Sequence, residues 1–298
     1  MTVKKFLKSW MLPIAMVAGF LFYNYIGYIK FLTPYLLFLM LFITYTRIDI
    51  KEIRLTKFHF WLILFQLVSC WAAFYLLKGF DQDVACGVFL CFFICTATSA
   101  PVITGMLGGS IATLVSYSFF SNMVFALATP PFLSVISSNS DISFWESFST
   151  ICIEVLPLLI LPLALAVFLR HKMPKVHKVI SNHQSVSLYL WALAILIAVG
   201  NAVAFAMKQP KDDFYVIVYL CVGALVACCL QFFVGHKIGI RFGEPVCGTQ
   251  GLGQKNTILA IWVAMTYLNP ITSLAPASYI IWQNIINSAQ IYRKVNKQ

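Results

Sequence analysis

Four polar side chains lie close together in an apolar stretch near the C-terminus, residues 245–262 (PVCGTQGLGQKNTILAIW). They are Gln250, Gln254, Lys255 and Asn256. Amides and local carbonyls could coordinate a cation or hydrogen-bond a solute, and helix N-termini freed by a break would favour an anion. The alternative is hydrogen bonding between helices, worth about 1 kcal/mol or less per bond in membranes. Because three glycines accompany the polar groups, we favour a binding site.

Lys255 is the most informative of the four, since it is the only basic residue inside an apolar segment. An unpaired ammonium in hydrocarbon costs about 2.5–3.5 kcal/mol on insertion scales. We therefore expect Lys255 to face a cavity and either to pair with a carboxylate or to lose its proton part of the time. It could bind a substrate carboxylate, or it could occupy a place where a metal cation would otherwise bind.

The composition predicts that these groups lie at membrane depth. Hydrophobic residues make up 60% of the 298 residues, charged residues 10%, and the mean hydropathy is +0.85. Such values indicate a polytopic membrane protein with room for about ten spans. The net charge of +11 could suggest nucleic acid, but the basic residues lie in short loops between apolar spans. Membrane topology explains the excess better.

Ten apolar segments can be marked, and the loop charges give their orientation. The segments are 11–29, 31–47, 58–77, 84–107, 110–136, 147–169, 185–207, 213–235, 246–268 and 271–292. With a cytoplasmic N-terminus, sixteen of the 21 basic residues fall on the inside and four in outside loops. This asymmetry predicts an integral protein of the plasma (inner) membrane with both termini cytoplasmic.

The ten segments predict an all-α protein made of two inverted five-helix repeats, because a duplicated odd-numbered half enters the membrane in the opposite sense. We place the repeats at 1–140 and 141–298. Segment four (CTATSAPVITGMLGG, 95–109) and segment nine (CGTQGLGQKNTILA, 247–260) are both rich in small residues and helix breakers. Two interrupted segments at equivalent places predict discontinuous helices 4 and 9 that cross at a binding site.

Further candidates come from other segments. Thr98, Ser99 and Thr113 are the hydroxyl residues that we expect nearest the crossing, although such groups more often bond backbone. Glu154 is the only acidic residue well inside a segment; it could pair with Lys255, carry a coupled proton, or reach the headgroups. Asn284 belongs to a polar stripe in segment ten that could line a cavity or join helices.

The layout resembles the bile acid:sodium symporter family. The run Gly251–Leu259, GLGQKNTIL, is similar to the span-nine motif of that family, and CTATSAP at 95–101 is similar to its span-four signature. The resemblance implies ten helices with a panel of helices 1, 2, 6 and 7 and a core of helices 3–5 and 8–10. It also implies transport by alternating access.

Several residues depart from the family pattern. Gln250 stands where the sodium-binding glutamate would be, and Lys255 stands where an asparagine would be. Ala100 and Pro101 replace the Ser-Asn pair that ligates sodium. Loss of a carboxylate and gain of a positive charge both disfavour bound Na⁺. We therefore predict no metal site and no cofactor, with H⁺ coupling open beside Na⁺ coupling.

Together these features predict a secondary transporter of a small, anionic, amphipathic solute, bile-acid-like or a carboxylate. The alternatives are an H⁺-coupled or uncoupled exporter or channel of the same fold, and a membrane sensor without transport. An enzyme is not expected, because no His/Asp pair, HExxH or GxSxG occurs at membrane depth. We expect a small-molecule substrate and membrane lipid as partners, no nucleic acid and no obligate protein partner.

Overall fold

The computed structural model describes residues 14–46, 53–97, 99–136, 144–182, 184–207 and 214–295. These residues are predominantly helical and contain no β-strand, apart from one isolated antiparallel bridge between Thr96 and Lys255. Short 3₁₀ turns occur at Lys30–Leu32 and Pro270–Ser273. The helices are α1 (described over 14–21), α2 (Tyr23–Ile26), α3 (Thr33–Tyr45), α4 (Lys57–Leu77), α5 (Gln82–Phe93), α6 (Ala100–Met106), α7 (Ile111–Ile136), α8 (Phe144–Lys172), α9 (Pro174–Asn182), α10 (Gln184–Ala206), α11 (Phe214–Arg241), α12 (Pro245–Gly253), α13 (Thr257–Tyr267) and α14 (Leu274–Val295).

Three of the described helices, α4, α7 and α11, are long and apolar enough to cross a membrane by length and composition. Large apolar side chains are exposed on their surfaces, for example Leu76 at 80% and Val226 at 59%. Such surfaces are unfavourable in water and suit contact with lipid. The prediction of a helical polytopic membrane protein is therefore supported, while the number of ten helices stays a prediction.

The chain divides into two compact units. The first comprises Met1–Arg47 and Pro157–Lys211, and the second comprises Ile48–Leu156 and Asp212–Gln298. Within the first unit, α10 packs against α2 and α3. The predicted repeats at 1–140 and 141–298 and the panel and core assignment stay predictions. Residues 137–143, which contain the predicted boundary between the two repeats, lie outside the described residues.

The second unit contains both predicted discontinuous helices. Helix 4 is built from α5 and α6, which are separated by non-helical residues at 94–97 and 99. Helix 9 is built from α12 and α13, which are separated by residues 254–256. The prediction that both segments are interrupted agrees with the structure.

The breaks do not lie at the expected helix breakers, which is a correction to the sequence analysis. Pro101 is in the first turn of α6, where a missing N–H costs no hydrogen bond. Gly248, Gly251 and Gly253 all lie within α12. A Cβ on Gly248 would overlap the carbonyl oxygen of Gly235, so this glycine permits close helix packing and does not break the helix.

Candidate functional site

The two breaks meet in a short main-chain pairing. The N–H of Ala97 donates to the carbonyl of Gln254 at 2.9 Å, and the N–H of Asn256 donates to the carbonyl of Cys95 at 2.9 Å. These two bonds flank the antiparallel bridge between Thr96 and Lys255. Because each break satisfies main-chain groups of the other, the pairing fixes the place where helices 4 and 9 cross.

The C-terminal end of α5 is closed by side chains from three other parts of the second unit. A helix leaves its last four carbonyls without partners inside the helix. In α5 the first of these, the carbonyl of Leu90, accepts from the N–H of Ile94. The carbonyl of Cys91 accepts from Gln231 at 3.0 Å, and that of Phe93 accepts from Gln66 at 2.6 Å. The remaining carbonyl, that of Phe92, accepts from Nζ of Lys255 at 3.1 Å. All four terminal carbonyls are therefore satisfied.

Lys255 is buried, with 1% of its surface exposed. Its N–H donates to the side-chain oxygen of Gln283 at 3.0 Å, and its Nζ points to the carbonyl end of α5. Its expected partial loss of a proton stays a prediction, and no carboxylate pairs with its ammonium among the described residues. The reason is that the negative end of the α5 dipole, with its carbonyl oxygens, provides a partner for a cation.

Gln254 connects the two breaks through its side chain. Its Nε2 donates to Oγ of Ser99, the residue that precedes α6, at 2.9 Å. Gln254 is 1% exposed, and its Oε1 is buried without a hydrogen-bond partner in the described part of the chain. A buried acceptor without a partner is costly, so this oxygen is a candidate contact for a solute or a water molecule.

Gln250 has a similar arrangement one turn earlier. Its Nε2 donates to Oδ1 of Asn287 at 3.1 Å and to Oε1 of Gln290 at 2.9 Å. Its own Oε1 is buried and has no partner within the described ranges. The polar stripe predicted on the last helix therefore contacts α12 and the helix 9 break through Gln283, Asn287 and Gln290.

Two predicted residues have more local roles. The side chain of Asn256 accepts from the N–H of Leu259 at 3.3 Å and so caps α13, which leaves this helix start less available to an anion. Asn284 donates to the carbonyl of Ile280 in its own helix, unlike the other members of its stripe.

Thr113 does not lie near the crossing. Its hydroxyl donates to Glu244 at 3.2 Å and to Ser110 at 2.9 Å. Glu244 precedes the first residue of α12, whereas the crossing follows its last residue. The nine residues of α12 separate these ends by about 13 Å, at 1.5 Å of rise per residue. Sequence proximity to the break was misleading because α6 leads the chain away from it before α7 begins.

The remaining two predicted residues cannot be compared with the crossing. Thr98 lies outside the described residues. Glu154 belongs to α8, and its side chain lies outside what the structure describes. The roles predicted for both stay predictions.

The structure adds Gln66, Gln231 and Tyr279 to the site. Gln66 donates to Phe93 and Ile94 and accepts from Tyr117, while Gln231 donates to Tyr279 at 3.1 Å. The hydroxyl of Tyr279 donates to the carbonyl of Gly253 at the end of α12. A signal was available for two of them, because each of Gln66 and Gln231 is an amide within a long apolar helix. Such residues are rare and are usually paired.

Two interrupted helices that meet at their breaks, in an apolar helical protein, define the class of membrane transporters. The chain matches the Sodium Bile acid symporter family over residues 34–209, more than half of its length, and it belongs to that family. This is a family of transporters. A comparison with curated proteins found no match. The family match confirms the resemblance and ends before α12, so it does not include Gln250, Gln254 or Lys255.

Proposed function

We propose that this protein is a secondary transporter of a small amphipathic organic anion, bile-acid-like or a simple carboxylate, in the plasma (inner) membrane. The solute moves by alternating access around the crossing of helices 4 and 9, and both chain termini are cytoplasmic. The observation that carries the proposal is the pairing of the two breaks through Ala97, Cys95, Gln254 and Asn256. Unwound backbone at membrane depth is tolerated where it is buried in protein or lines an aqueous cavity, as in transporters.

The polar atoms at the crossing support a solute site. The side-chain oxygens of Gln250 and Gln254 are buried without partners in the described part of the chain. They can accept hydrogen bonds from hydroxyl or amide groups of a solute, as the polar portion of a bile-acid-like molecule would require. In the proposed function, Gln254 and Ser99 bind the solute directly, and Asn256 keeps the start of α13 in place.

The position of Lys255 supports a particular role in coupling. Half-helix C-termini and unwound carbonyls coordinate cations in transporters of this kind. Here the carbonyl of Phe92 already accepts a hydrogen bond from Lys255 Nζ at 3.1 Å. In the proposed function, the ammonium of Lys255 is a tethered cation that takes the place of a bound Na⁺. Transport then needs no Na⁺ gradient, and coupling to H⁺ is the alternative.

Uptake by proteoliposomes tests the transport function. The probes are labelled taurocholate, a bulky amphipathic anion, and labelled propionate, a small carboxylate. We expect saturable uptake of at least one probe, stimulated by unlabelled probe on the opposite side. Gln254→Ala should reduce the rate by up to about tenfold, the equivalent of one neutral hydrogen bond of up to about 1.5 kcal/mol.

The matched control is Gln82→Ala, which removes an amide at the start of α5 that contacts Cys86 and Ile136 and not the crossing. It should retain the wild-type rate. Uptake that is linear with concentration and lacks stimulation from the opposite side would indicate a channel. Absence of uptake for both probes would contradict the proposed substrate class and favour a sensor.

A further inference from the structure

A cavity of about 600 Å³ lies in the second unit, beside the last turns of α11 and α14. Leu107, Phe232 and Phe233 contribute apolar walls. The volume is within the usual range for small-molecule sites, roughly 300–1,000 Å³. An apolar wall of this size needs an occupant with an apolar portion.

The charged groups of this cavity have one sign. They are Arg293 and Lys294, beside the ring of His236, and no acidic residue is among the described residues that line the cavity. Lys294 is held at the rim by a hydrogen bond of 3.1 Å from its Nζ to the carbonyl of Leu107. The exposed guanidinium of Arg293 has no hydrogen-bond or ion-pair partner within the described residues. A cavity lined by positive charge attracts anions, and guanidinium groups match phosphate geometry.

The acidic residue in front of α12 does not neutralise this charge. Glu244 precedes α12, and its two carboxylate oxygens accept from Thr113 at 3.2 Å and from Cys247 at 3.1 Å. It does not line the cavity. The positive charges of Arg293 and Lys294 are therefore available to a ligand.

We propose that this cavity binds a phosphate-bearing anion, and that its source is the headgroup of an anionic phospholipid. The cavity lies at the ends of α11 and α14 that the loop charges predict to be cytoplasmic, and basic pockets on this side of a membrane bind anionic headgroups. The phosphate contacts Arg293 and Lys294, while the first carbons of the lipid lie against Phe232 and Phe233. The site does not depend on which solute is transported.

The occupied cavity would contact the half-helix that ends at the crossing. Val246 and Thr249 of α12 line the cavity, and so does Gln290. Gln290 also accepts a hydrogen bond from Gln250 at 2.9 Å. A bound headgroup therefore stabilises the position of α12 against α14.

Binding of a fluorescent short-chain phosphatidylglycerol to the purified full-length protein in neutral detergent tests the proposal. Fluorescence anisotropy reports binding, and unlabelled phosphatidylglycerol, phosphatidylcholine and inorganic phosphate are the competitors. We expect phosphatidylglycerol to compete and phosphatidylcholine to fail. Competition by inorganic phosphate that requires Arg293 and Lys294 would support the same anion site with a soluble ligand as its source.

The variant R293Q/K294Q removes both charges from the cavity. Its affinity for the labelled lipid should fall about 25-fold, roughly fivefold for each basic residue. The matched control is K237Q/R241Q, which removes two basic residues from the last turns of α11 that do not line the cavity. Its affinity should stay within about twofold of wild type, since exposed charges outside the site are screened by salt.

A second variant, Arg293→Glu, alters only an exposed side chain, and it should weaken binding further than Arg293→Gln. Equal losses in R293Q/K294Q and K237Q/R241Q would overturn the proposal, because binding would then depend on overall charge alone. Equal competition by phosphatidylcholine and phosphatidylglycerol would also overturn it.

Discussion

Replacement of Lys255 by methionine is expected to reduce uptake by proteoliposomes at least about tenfold, because it removes a charge-assisted hydrogen bond worth about 1.5–3 kcal/mol. Methionine preserves the length and apolar stem of the side chain but cannot donate to the carbonyl of Phe92. That carbonyl is held at the end of α5 in a buried site, where loss of a donor leaves the negative end of the helix uncompensated.

The control for this variant is Lys78→Met, which removes an ammonium that follows α4 and lies 4.5 Å from the ring centre of Tyr75. Uptake by this variant should equal that of wild type. A further comparison adds propylammonium to Lys255→Ala, since a free alkylammonium can occupy the space left by the side chain. Wild-type uptake by Lys255→Met would show that the ammonium is not required.

Substitution of Gly248 by alanine is expected to destabilise the protein by about 3 kcal/mol or more, at the upper end of overpacking effects. An added Cβ would overlap the carbonyl oxygen of Gly235 and lie 3.0 Å from Cα of Gly239. Both neighbours are backbone atoms in α11, spaced as in a GxxxG motif, so no side chain can move aside. The thermal unfolding midpoint in detergent should fall, and the protein should no longer elute as a single peak in size-exclusion chromatography.

Gly79→Ala is the matched control, because a Cβ at Gly79 would meet nothing within 4 Å. Its midpoint should remain that of wild type. An unchanged midpoint for Gly248→Ala would contradict the close packing of α11 and α12. Because α12 ends at the crossing, its displacement in Gly248→Ala should also reduce uptake. The loss of uptake in Gly248→Ala should be accompanied by a loss of stability, which distinguishes it from the loss expected for Lys255→Met.

The features that sequence could predict are those set by composition and by local incompatibility with hydrocarbon. The apolar segments predicted a helical membrane protein, and the small and polar residues of 95–109 and 247–260 predicted two interrupted helices. Both interruptions are present in the structure. The family resemblance followed from the same two stretches and is confirmed over residues 34–209.

The features that sequence could not predict depend on which parts of the chain face each other. Three glycines in one segment indicate either a break or a close helix contact, and only the neighbouring Gly235 distinguishes the two. Gln66 lies in α4, 28 residues before Ile94, to which it donates, so no local pattern connects them. Thr113 was placed too near the crossing for the same reason.

The partner of Lys255 illustrates this limit best. From the sequence, a carboxylate was one predicted partner because a buried ammonium needs negative charge, and Glu154 was the acidic residue within an apolar segment. The structure instead provides backbone carbonyls at the end of α5, and backbone groups leave no signature in residue type. Among the described residues the compensating partner is therefore a backbone carbonyl, and the pairing with Glu154 stays a prediction.

In the proposed function, the ammonium of Lys255 takes the place of a bound Na⁺. The most direct test is the thermal unfolding midpoint of the purified protein in NaCl and in KCl at equal ionic strength. We predict equal midpoints, because in the proposed function the ammonium of Lys255 occupies the place of the ion. A Na⁺ ion bound at 100 times its Kd would stabilise the folded state by about 2.7 kcal/mol. A midpoint that rises in NaCl but not in KCl would show specific binding of Na⁺ and would contradict the role proposed for Lys255.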